Sequence, residues 1–122
     1  MVFCVLGVSM VWASVGGVKV RGLHRLPWFF LLAFAARKAA LNSDGCIAVD
    51  LFRRGRIFFV VSVWATRDDM RTYVQQGAHR KFMAHRDTLF HFANNTVFEI
   101  ESQPTRKQAL RVWDSKFPFP EG

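Results

Sequence analysis

Cysteine is scarce: Cys4 and Cys46 are the only two in 122 residues. A chain of that length buries a core without covalent staples, so we expect free thiols in a reducing cytoplasm; a bridge would need the two to meet in space. Acidic side chains are also few, 9 against 17 Lys and Arg. No pair of carboxylates stands at a catalytic spacing, and there is no glycine-rich phosphate loop and no nucleophile elbow, which sets aside the chemistries those motifs carry. His79, His85 and His91 are spaced by six, which spreads them around a helix, and no acidic residue stands at ligand spacing, so we expect no metal.

A long unbroken apolar run is absent as well. Residues 2–18 carry no charge, yet Ser9, Ser14, Gly16 and Gly17 interrupt them, and no positive residue precedes the apolar stretch. A membrane span needs about 20 apolar residues and a secretory signal needs a basic start, so a buried strand fits better than either. We expect no membrane partner and a cytoplasmic location. Repeats and low-complexity segments are lacking too, and the length predicts a single domain over residues 1–122.

What is abundant is positive charge, +8 net. A nucleic-acid surface concentrates Lys and Arg on one face, whereas here the only tight cluster, Arg53-Arg54-Gly55-Arg56, falls at an expected hairpin turn. The rest is scattered, which predicts a solvated basic surface and no specific nucleic-acid partner.

Ile57 to Trp64 is apolar on both alternating sets and rich in β-branched and aromatic residues, which predicts a buried strand. Thr66 with Asp69 three residues on starts a helix carrying Met70, Tyr73 and Val74, and Gly77 stops it. A second helical stretch opens at Ala78-His79-Arg80, with Phe82, Met83, Leu89 and Phe90 on one side. Upstream, a first strand lies within Val8 to Arg21 with Gly16-Gly17 as a candidate bulge, or alternatively within Val2 to Ala13. Pro27 and Arg37-Lys38 frame a helix over Leu26 to Leu41, and Cys46 to Phe52 forms a hairpin with the central strand. Downstream, Asn94-Asn95 reads as a turn, Thr96 to Glu101 as a half-exposed strand, and Thr105 with Gln108 as the capping box of a short helix through Trp113. The tail Phe117-Pro118-Phe119-Pro120 is expected to lie over the surface.

This order is the split βαβ pattern: an α+β, ferredoxin-like antiparallel sheet, βαββαβ, with helices on one face plus a C-terminal helix. Phe58, Val60, Ser62 and Trp64 point one way from the central strand, and Ile57, Phe59, Val61 and Val63 the other. The C-terminal helix is too short to cover a whole sheet, so the second set predicts cover from a second copy, a homodimer.

At these residues the chain resembles the dimeric α/β-barrel superfamily, specifically the antibiotic-biosynthesis-monooxygenase-like proteins and a related uncharacterised family. The resemblance is carried by Gly45-Cys46, Ser62-Val63-Trp64, Met70, Tyr73, and Ala78-His79-Arg80 with Met83. It covers roughly Val18 to Met83, more weakly Pro104 and Ala109 to Trp113. It implies a dimeric α/β barrel and a cofactor-independent monooxygenase acting on a small apolar or aromatic molecule; the alternative is a non-catalytic small-ligand-binding or structural homodimer. Haem-degrading relatives carry a Trp and an axial His where this chain has Tyr73 and Met83, which argues against haem.

His79 is the candidate catalytic base, on one helical face with Phe82, Met83 and Arg86, its neutral form favoured at a helix N-terminus. Ser62, Trp64, Tyr73, Met83 and Arg86 are candidate substrate-binding residues. Each also has a structural explanation: His79 as a helix cap or the satisfied partner of a core carbonyl, Trp64 as core, Tyr73 and Arg86 as rim residues.

Overall fold

The computed structural model describes residues 10–75 and 77–117. Cys4, the alternative first strand within Val2 to Ala13 and the end of the Phe117 to Pro120 tail lie wholly or partly outside these residues. Along the chain run β1 (Val11–Val20), a short 3-10 turn (Leu23–Arg25), α1 (Leu26–Leu41), β2 (Cys46–Arg54), β3 (Ile57–Trp64), α2 (Arg67–Val74), α3 (Gly77–Ala84), α4 (Arg86–Leu89), β4 (Phe90–Ile100) and α5 (Arg106–Lys116). The four strands form one antiparallel sheet in the order β2-β3-β1-β4. This is the α+β, ferredoxin-like arrangement: α1 carries the chain over the sheet so that β3 pairs between β1 and β2.

Local chemistry explains the element boundaries. Pro27 opens α1, where a missing N–H costs nothing. Thr66 Oγ1 accepts the Asp69 N–H at 3.0 Å to start α2, and Thr105 and Gln108 complete a reciprocal capping box at 3.0 and 2.8 Å to start α5. Gly55 turns β2 into β3 with φ 64, a conformation in which a Cβ is strained.

Three boundaries differ from the expectation. Asn94 and Asn95 are not a turn: β4 starts at Phe90 and Asn95 pairs with Gly16 of β1, so strand pairing overrides the local preference of Asn. The helical stretch after Gly77 breaks at His85, and Phe90 is already strand. Gly16-Gly17 is regular, the irregularity of β1 falling at Lys19/Val20. The two glycines have other work. A Cβ on Gly17 would lie 2.6 Å from the Trp113 ring, and one on Gly16 would lie 3.3 Å from Asn95 Oδ1 on the opposite face.

The largest correction concerns the two faces of β3. Ile57, Phe59, Val61 and Val63 were expected to need a second copy, yet they are 3, 0, 3 and 1 % exposed within the single chain. Helix α5 covers them: Ala109 and Trp113 join them and Val15 in one cluster, with Phe52, Phe92, Phe98, Leu110 and Phe117 around its edge. One short helix suffices because its Trp seats on the bare backbone at Gly17 and the peripheral aromatics fill the remainder. Arg54 to Asp114 and Arg106 to Asp50, both two-pronged at 2.8 to 2.9 Å, tie the two ends of α5 to β2. The other set, Phe58, Val60 and Ser62, is only half-buried beneath α1, α2 and α3.

Candidate functional site

Half-burial on the helix side has a cause: a cavity of about 240 Å³ lies between that sheet face and α1, α2 and α3. The sheet supplies its floor through Ser14, Gly16 and Val18 of β1, Val60 and Ser62 of β3, and Asn95 of β4. The helices supply its roof through Phe29 and Ala33 of α1, Met70 and Tyr73 of α2, and His79, Phe82 and Met83 of α3. Apolar side chains dominate and a few polar groups punctuate them, the usual constitution of a small-molecule site.

Five of the six residues singled out in the sequence, Ser62, Trp64, Tyr73, His79 and Met83, line this cavity. Trp64 is fully buried at the end of β3 and stacks on Tyr73 at 5.2 Å between centroids. The His79 ring meets the Tyr73 ring edge-on at 5.3 Å. Arg86 is the exception. The break at His85 takes it off the His79 face; it is exposed, and its Nη2 donates to the Ala93 carbonyl at 2.7 Å. It braces β4 behind a cavity-lining residue and does not line the cavity itself. His85 packs against Trp28 and His91 faces Arg21, so neither accompanies His79.

Burial pulls the His79 imidazole below its ordinary value of 6.5, opposed by a hydrogen bond to the Val74 carbonyl. The neutral ring that results donates one N–H to that carbonyl, which leaves the other nitrogen as an acceptor. Tyr73 is different. Its hydroxyl donates to the Ala36 carbonyl at 2.8 Å, and burial, with the nearby Cys46, pushes the phenol up to about 12. It stays protonated and serves as wall. The Trp64 indole N–H is buried with no partner among the described residues, a deficit of about 1–3 kcal/mol for a desolvated donor. Cys46 is a free thiol, raised by burial.

Ser14, Gly16, Asn95 and Arg37 also line the cavity and were not recognised in the sequence. Parity was the available signal for Ser14, since it shares its face with Trp12 and Val18, but only the register with β3 aligns it opposite Ser62.

Residues 30–85 match the family model described as antibiotic biosynthesis monooxygenase. No protein of curated function matches the chain. Among solved structures, a conserved protein of Methanosarcina mazei Go1 is similar with a TM-score of 0.67 at 11 % identity, covering 73 % of this chain and 91 % of that one. An antibiotic biosynthesis monooxygenase is similar with a TM-score of 0.63 at 12 % identity over 76 % and 99 %. The Mycobacterium tuberculosis protein Rv0793 is similar with a TM-score of 0.63 at 18 % identity over 80 % and 99 %. At such identities the structures speak for the fold, while the family model matches α1 from Phe30 through β2, β3, α2 and α3. This chain therefore carries an antibiotic biosynthesis monooxygenase domain at residues 30–85, built in the α+β, ferredoxin-like fold of that family.

Proposed function

We propose that this chain is a cofactor-independent monooxygenase acting on a small, largely apolar, aromatic molecule, as a cytoplasmic homodimer with residues 1–122 as one domain. The observation that carries this reading is an apolar cavity holding a neutral imidazole with one nitrogen anchored on the main chain and the other without a partner among the described residues. That is what a general base requires: a fixed tautomer and a free lone pair.

The chemistry follows from those groups. His79 takes a proton from an acidic C–H or phenol, and the aromatic walls hold the resulting anion planar and away from water. An electron-rich anion reduces oxygen directly. For an activated methylene the balance is CH2 + O2 → C=O + H2O: one oxygen atom enters the substrate, the other leaves as water, and the substrate supplies all the electrons. Ser62, Trp64 and Met83 contact the ligand in this scheme, Tyr73 backs Trp64, and Arg86 acts only through Ala93.

The test is oxygen uptake with a panel of hydroxylated aromatics. His79→Ala should lower the rate by about 10²–10⁴-fold, the usual weight of a positioned base. Equal rates in the two proteins remove His79 from the mechanism. A non-catalytic ligand-binding or structural homodimer is the second reading. It is favoured by the hydrogen bonds that commit Tyr73 and His79 to main-chain carbonyls and by a cavity below the roughly 300 Å³ typical of ligand pockets. Ligand binding without oxygen uptake by the wild type would select it.

A further inference from the structure

Helix α1 is apolar on two opposite sides, and the fold covers only one of them. Phe29 and Ala33 face inward and are buried. Along the outward side Pro27, Leu31, Phe34 and Leu41 follow one another at helical spacing, all of them exposed, with Leu31 71 % and Phe34 55 % open to solvent. Leu23, in the turn just before the helix, is 82 % open. A helix that is apolar all round belongs in a deep core or against lipid, yet α1 lies at the surface of a small domain.

The charges around this stripe have one sign. Every acidic residue of the chain lies at Asp44 or beyond, whereas Lys19, Arg21, Arg25, Arg37 and Lys38 all come before it. Arg37 and Lys38 are exposed near the C-terminal end of α1, and Lys38 falls between Phe34 and Leu41 in the stripe itself. Its stem can lie along the apolar surface while the ammonium reaches outward. The nearest carboxylate of the neighbouring β2, Asp50 in the groove beside Phe34, is held by Arg106. Pairing α1 with α1 of a second copy would set cations against cations with no carboxylate on the helix to answer them. An anionic surface answers both the charge and the apolar stripe.

We propose that the outward side of α1 docks on an anionic lipid bilayer, with Leu31 and Phe34 sunk among the acyl chains and Arg37 and Lys38 at the headgroups. Among the described residues no helix is long and apolar enough to cross a membrane, and α1, about 24 Å of helix, falls short of a hydrocarbon core of about 30 Å. Lying in the interface needs no such length, only an apolar side and flanking cations. The negative potential of a cytoplasmic leaflet supplies the complementary charge.

The test is sedimentation with vesicles, either of phosphatidylcholine alone or of phosphatidylcholine with about a third phosphatidylglycerol, in about 0.15 M salt. The wild-type protein should partition onto the anionic vesicles about 25-fold more strongly than onto the neutral ones, from two cations at about fivefold each. Lys38→Gln should lose about fivefold of that. The Leu31→Ser, Phe34→Ser double variant should lose at least about tenfold on anionic vesicles while its urea midpoint stays at the wild-type value, because both side chains leave a solvent-exposed surface. Equal partition onto the two vesicles, or none onto either, would overturn the inference. So would anionic binding that Lys38→Gln weakens and the double variant leaves intact, since that is adsorption of a basic protein without insertion. A double variant whose mass by light scattering drops from dimer to monomer would assign the stripe to a second copy instead.

Discussion

At the scale of the residue, His79 is held between a main-chain carbonyl and an apolar cavity, and its depressed titration couples folding to acidity. The unfolded chain takes up a proton near 6.5, while the folded chain resists until a lower pH. The stability present above 6.5 is therefore lost as the pH falls from there through the folded value. Urea midpoints measured in steps below pH 7 should fall more steeply for the wild type than for His79→Gln; parallel curves would show that the ring is not desolvated. If His79 is the base, the acid limb of oxygen uptake lies below 6.5 as well. His79 was legible from helical spacing because it lies inside one helix with Phe82 and Met83. Arg86 was not, because a face extrapolated through seven residues assumes an unbroken helix, and the chain breaks at His85. Asn95 was misread for a related reason: the turn preference of Asn is local, while pairing with Gly16 comes from a strand far away in sequence.

At the scale of the element, the bounds of α1 and β3 were readable to the residue because proline, turn chemistry and an uninterrupted apolar run mark them. The role of α5 was not. Its capping box announced a helix, but nothing in an eleven-residue segment says that its Trp will seat on a distant glycine. That seat concentrates the stability of the second face in one side chain. Trp113→Ala should cost about 3–5 kcal/mol in urea denaturation, against roughly 0.2–1 kcal/mol for breaking the Arg54–Asp114 ion pair. A loss below 1 kcal/mol would mean that α5 does not seal that face.

At the scale of the molecule, two of the basic side chains have work within the fold. Arg54 and Arg106 clamp α5 to β2 and lie over Phe59 and Phe52. Among the described residues no helix is long and apolar enough to cross a membrane. With α5 over the second face, the homodimer no longer follows from an unburied central strand; it rests on the resemblance to dimeric barrels. Light scattering at micromolar concentration should return twice the mass of the 14.0 kDa chain, and a monomeric mass there would rule out the dimer.

The hollow on one side of β3 and the jammed packing on the other give neighbouring residues of a single strand different evolutionary freedom. Val61 and Val63 are held by everything around them, so most substitutions there are purged before chemistry is tested. Val60 and Ser62 border empty space, so a lineage can vary them without unfolding. Heritable change in what the protein accepts can therefore accumulate at every second position of the strand while the scaffold stands still.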